Sequence, residues 1–153
     1  MKTIRIVGLA ISLALFLQAC HKHEEPEDPS APFYGVWDAA KIWNYNADNT
    51  LTEEDTVEGL SLYLYENHEF QVMADTIKWL AGTWYYDVEA NEIEFEYRVM
   101  REISIWFITY DWQSVSTERA EVISVTDNTL KLKNDYPDEE WDGYFILEFR
   151  RRR

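Results

Sequence analysis

"NEIEFEYRV", residues 91–99, decides the fold. Ile93, Phe95, Tyr97 and Val99 fall on one side of an extended chain, and Glu92, Glu94, Glu96 and Arg98 on the other. Strict alternation of this kind marks a strand with one face on a core and one in water. The preceding "GTWYYDV" (82–88) runs through Glu89-Ala90-Asn91 into it, which predicts a hairpin. Working outward, "GLSLYLYE" (59–66) sets Leu60, Leu62 and Leu64 against Ser61, Tyr63 and Tyr65. A turn at Asn67-His68 then leads into "EFQVM" (69–73). "EVISV" (121–125) turns at Asp127-Asn128 into "TLKLK" (129–133), and "DGYFILEFR" (142–150) follows with Phe145, Leu147 and Phe149 on one side. About eight or nine short strands separated by tight turns predict an all-β, antiparallel sandwich or barrel. Closure into a barrel leaves no sticky edges, so the first strand (35–43) is expected beside the last (143–150).

The 153 residues are 46% hydrophobic and 16% aromatic, enough for one domain with a real core. The formal charge of −15 repels nucleic acid and anionic lipid headgroups, so no nucleic-acid partner is expected. A single cysteine leaves no disulfide to form.

That cysteine lies on a border. Lys2 and Arg5 precede an apolar run from Ile6 to Leu17, too short for comfortable spanning, which reads as a secretory signal. Leu17-Gln18-Ala19-Cys20 then resembles the bacterial lipobox. The resemblance implies that residues 1–19 are removed and that Cys20 is acylated, attaching the protein to a membrane without a spanning helix. His21 follows it rather than the aspartate of inner-membrane retention, so the resemblance implies the outer membrane. Removal of the leader takes two basic residues and no acids, making the chain two units more negative. Residues 20–32 are read as a tether and 33–153 as the domain. Pro26, Pro29 and Pro32 favour extended polyproline II at about 3 Å per residue, a spacer on the order of 35 Å.

Gly35-Val36-Trp37 opens the first strand as the G-x-W motif opens lipocalins. The order "YLYENHEF", "GTWYYDVEANEIEFEY", "VISVTDNTLKLK", "FILEFR" resembles the small lipocalin-like domains of lipoproteins from Bacteroidetes-type Gram-negative bacteria. The likeness covers roughly residues 33–150 and implies an up-and-down barrel. It also implies a structural pair at the closed end, Trp37 beneath an arginine of the last strand, expected to be Arg150, or Arg151 if the register slips by one.

Enzymatic constellations are not evident, and no enzyme is expected. His21 and His23 lie in the tether and His68 in a turn, so no histidine base sits beside a core serine, and the five glycines do not cluster as a phosphate loop. "DEEWDG" (138–143) echoes the start of a calcium loop, but Phe149 stands where the closing glutamate belongs, so a solvated acidic turn is expected, with no metal or other cofactor. The aromatic residues exceed what a minimal barrel needs, and "ISIWFITYDWQ" (103–113) is apolar on both faces of one expected strand. Either this is core and hairpin packing, or the barrel holds a small apolar or amphipathic ligand against Leu62, Leu64, Trp84, Tyr86, Phe95 and Tyr97. Two other readings stand beside it. One is an interaction domain docking an envelope protein through an outward Trp106-Tyr110-Trp112 patch; the other is a glycan-binding module.

Overall fold

A computed structural model describes residues 27–99, 104–105, 108–109, 115–135 and 142–153. After a single 3-10 turn (Ala31–Phe33), the strands are β1 (Gly35–Asn46), β2 (Leu51–Thr56), β3 (Leu60–Leu64), β4 (Glu69–Ala74) and β5 (Ile77–Asp87). They continue with β6 (Glu92–Val99), β7 (Ser104–Ile105), β8 (Ile108–Thr109), β9 (Val115–Val125), β10 (Thr129–Asp135) and β11 (Gly143–Arg151).

The sheet runs β11-β10-β9-β6-β5-β4-β3-β1, all antiparallel, and β11 pairs back onto β1. Eight strands therefore close into a barrel, as the alternation predicts. The seam is long: Trp37 lies opposite Arg151, Ile42 opposite Leu147 and Asn46 opposite Gly143. One flank of β1 bonds β11 along its length, while the other bonds β3 with residues 35–38 and β2 with residues 41–45. β2 is thus a ninth strand outside the closed circuit. Its sequence, "LTEEDT", is exposed at every position, so it carries no alternation for a reader to find.

Directly opposed residues share a face, and the registers put one set of side chains inside. Ile93, Leu130, Trp37, Leu64 and Phe33 are buried to 1% exposure or less, and Phe70, Trp84, Tyr97 and Phe149 to 5% or less. Each such side chain stabilises the fold by roughly 1.5–3 kcal/mol relative to exposure. Gly82 is the one gap in this inner lining of β5. A methyl group there would stand 1.9 Å from the Glu96 carbonyl oxygen, so β5 and β6 approach too closely for any side chain. The rings of Phe70 on β4 and Phe95 on β6 fill the gap from either side, with centroids 4.9 Å apart.

Two places depart from expectation, while the β5–β6 hairpin forms as predicted. The β3–β4 turn is centred on Glu66-Asn67, with His68 at φ 61° closing it and its amide bonded to the Tyr65 carbonyl at 3.0 Å. Asn91, at φ 57°, closes the β5–β6 turn in the same left-handed conformation, while the Asp87 carboxylate accepts from the Glu89 and Ala90 amides. The expected strand at 103–113 is instead the pair β7–β8, a separate two-stranded sheet. Trp106, Tyr110 and Trp112 lie outside the described residues, as do Asp138 and Glu140 of the acidic turn and Cys20 with the leader.

Candidate functional site

The barrel has two unlike ends. At one, the chain lead-in crosses the opening. Phe33 is driven under the barrel floor, its ring 4.7 Å from Tyr86 and 6.2 Å from Trp84. The Trp37 indole donates to the Phe33 carbonyl at 2.7 Å, fixing the 3-10 turn against β1. Over the face of that indole sits a guanidinium, 4.3 Å from the ring centroid, and it belongs to Arg151. The expected partner, Arg150, is a correction: it faces outward opposite Asp38, with 67% of its side chain exposed and only Glu148 near it at 3.8 Å. The pairing register decides this, because alternate residues of β11 point inward and Trp37 lies opposite Arg151.

Arg151 does more than stack. Its two terminal nitrogens donate to the Tyr34 carbonyl at 3.0 Å and the Pro32 carbonyl at 2.6 Å, clasping the lead-in to the last strand. Ser30 is buried and its amide donates to the Asp28 carboxylate at 2.9 Å, so the packed domain begins several residues before Phe33. The Tyr34 hydroxyl donates to the Asp28 carboxylate; this bond pushes the phenol up to about 12 and lowers Asp28 below its ordinary range. Outside the seam, Arg152 forks onto Asp38 and also reaches Ser61 at 2.9 Å and the Tyr63 hydroxyl at 3.1 Å. The Arg152 hydrogen bonds hold the Asp38 carboxyl below its ordinary range, with Ser61 adding to the effect. This end is sealed.

The six expected ligand-wall residues all point into the barrel but divide between its ends. Leu64, Trp84 and Tyr86 belong to the sealed floor, where Phe33 covers the two aromatic rings. The Trp84 indole donates to the Tyr65 carbonyl at 3.2 Å, so its polar edge serves the floor as well. Leu62, Phe95 and Tyr97 lie further along the lumen. Toward the opposite end the lining loosens: Leu60, Val72, Leu80, Phe95, Phe145 and Leu147 pack on the core yet remain only partly buried.

One polar residue in this half was not foreseen. Glu118 lies opposite Phe95 on the neighbouring strand and so shares its inward face. The Tyr97 hydroxyl, on a side chain only 3% exposed, donates to the Glu118 carboxylate at 2.5 Å. "VSTERAE" gives no alternation that would single out this glutamate; only the register against β6 turns it inward.

A separate depression of about 610 Å³ lies beside the sealed end, lined by Tyr34, Gly35, Leu64, Tyr65, Glu66, Asn67, Glu69 and Gln71. It is wide open to solvent and is not the lumen. Among the described residues no group of three or more His, Cys, Asp or Glu side chains is placed to hold a metal ion, and no helix is long and apolar enough to cross a membrane. No protein-family model matches the chain, and comparison with curated proteins gives no match either.

Proposed function

We propose that the protein is a lipid-anchored, lipocalin-like lipoprotein of the outer membrane that binds a small amphipathic ligand in the open half of its barrel. The supporting observation is apolar surface left accessible on the inward face beyond the floor. Side chains at the floor, such as Trp37 and Ile93, are fully buried, whereas Leu60, Val72, Leu80, Phe95, Phe145 and Leu147 keep part of their apolar surface accessible on an inward face. Concave apolar surface with a few polar groups is the usual composition of a small-molecule site, and an eight-stranded barrel has room for about one such ligand. The anchoring half of the proposal rests on the Leu17-Gln18-Ala19-Cys20 pattern.

Native mass spectrometry of the protein purified from its own host tests the binding half. The expected result is a second species heavier by one small molecule, lost when Phe95 is replaced by a charged residue. A single bare mass under gentle conditions, unchanged by added amphiphiles, would sink it.

A second reading, an interaction domain in an envelope complex, has one observation in its favour. Among the described residues β2 pairs only with β1, and all six of its residues are exposed, a strand available to a partner. In-cell photocrosslinking from position 51 or 53 separates the readings: a discrete protein adduct favours this one.

A further inference from the structure

The charges that face the barrel interior are unevenly distributed. On the inward side of the open half stands Glu118, exposed to solvent, beside the half-buried ring of Phe95 and held by the Tyr97 hydroxyl. β2 extends the same inner surface at the rim. Its Asp55 lies opposite Ile42 and its Glu53 opposite Asn44, both inward positions of β1, and the Asn44 amide donates to Glu53 at 3.2 Å. The cations lie elsewhere. Lys41, Lys131 and Lys133 are on the outer face in ion pairs with Glu54, Glu148 and Glu121, and Arg119 is outside with Glu94. Among the described residues the one inward-facing cation is Arg151, committed to the floor. Among the described residues the inward charges of this half are all carboxylates, which favours one sign of guest: a surface lined by one sign of charge attracts the opposite one, and a charge-assisted hydrogen bond is roughly twice as strong as a neutral one.

We infer that the ligand is a cationic amphiphile, an amine or guanidinium on an apolar body, with its head group received by the Glu118 carboxylate and its body against Phe95 and Leu80. The Tyr97 hydroxyl occupies one lone pair of that carboxylate and fixes its direction, leaving the remaining lone pairs for the guest. Glu53 and Asp55 at the rim attract the cation on approach. This inference rests on the proposed ligand site and adds the chemistry of its occupant.

The test is calorimetric titration of the purified protein with three probes of equal chain length: decylammonium, decanol and decanoate, each below its micelle concentration. Decylammonium should bind about tenfold tighter than decanol, the order expected for one charged hydrogen bond in a partly dry site, and decanoate weakest. Glu118→Gln, which keeps an acceptor for Tyr97, should bring decylammonium down to the level of decanol. Glu94→Gln, the same change on the outer face, should leave all three unchanged. Equal binding of decanol and decylammonium overturns the head-group assignment while leaving the ligand site in place. So does an equal loss in Glu94→Gln, which would mean general attraction to an acidic surface. If none of the three binds, the ligand site itself is refuted and this inference with it.

Discussion

Replacement of Arg151 by alanine removes the clasp at the sealed end, and its cost can be worked from the contacts. Two charge-assisted hydrogen bonds to the Tyr34 and Pro32 carbonyls are lost, each of a kind worth about 1.5–3 kcal/mol, together with a stack on Trp37 worth up to about 2 kcal/mol. Two terms oppose this. The guanidinium Nε is buried with no hydrogen-bond partner among the described residues, and alanine regains about 1.5–2 kcal/mol of side-chain freedom. The net expected loss is about 2–4 kcal/mol, or roughly 5–15 °C in Tm for a chain of this size. Arg150→Ala, at an exposed position 3.8 Å from its nearest acid, should stay within about 0.5 kcal/mol. Urea unfolding followed by tryptophan fluorescence measures both. A loss below about 1 kcal/mol in Arg151→Ala, or equal losses in the two variants, would refute the assignment of the clasp. Arg151→Lys refines the test: an ammonium cannot reproduce the planar fork, so about half the loss should remain.

Gly82→Ala should cost about 3 kcal/mol or more, or abolish folding, because its methyl group meets the β6 backbone; a soluble variant with an unchanged melt contradicts the close approach. Acid should weaken the barrel seam. Asp38 has a lowered folded-state pKa, so its contribution is fully present above the ordinary carboxylate range and is lost as pH falls below that range through the folded value. Asp38→Asn should flatten that part of the stability profile, and an unchanged profile counts against the pairing with Arg152. Alkali acts on the lead-in with the opposite sign: Tyr34 is raised to about 12, so its bond to Asp28 stabilises below pH 10 and is lost as pH climbs toward 12. Tyr34→Phe should remove that alkaline step, which ultraviolet absorbance of tyrosinate can follow. Cys20→Ser should abolish incorporation of a fatty-acid analogue in the host; continued labelling refutes the anchor.

What the sequence made legible follows from where water is. β6 and β10 each have one wetter face and one drier one, so alternation announced them and, through them, the closed barrel. β2 is wet on both faces and left no pattern. The slip from Arg150 to Arg151 has a similar origin. Residues 150–153 are all arginine, so no contrast of polarity marks which one turns inward, and only the pairing with Trp37 does. The sealed floor was half legible. Trp37 belongs to a recognisable motif, but Phe33 stands at the end of a proline-rich run that reads as spacer, and its burial depends on Tyr86 and Trp84 more than fifty residues away. Glu118 was hidden for a different reason: a bulge between Lys131 and Leu132 where β10 meets β9, and polar neighbours on both sides, leave its face undefined until β6 is laid against it.

These placements bear on how an anchored barrel would be presented. The lead-in joins the domain at the sealed end, where Phe33 and Arg151 bind it to the floor. If Cys20 is acylated as proposed, the tether would attach at the floor, leaving the half containing Phe95 and Glu118 at the end away from the attachment. That orientation suits exchange of a ligand with solvent or with a protein partner, and does not suit direct extraction of a lipid from the membrane beneath. It also places the acidic rim, Glu53 and Asp55 on β2, on the far side from any anionic headgroups, where their field acts on arriving solutes with less competition from the lipid surface. The clasp then has a mechanical role in addition to its stabilising one. In an anchored protein a pull on the tether would reach Pro32 and Tyr34, and through them Arg151 and the β1–β11 seam, the longest pairing in the barrel, before the proposed ligand half.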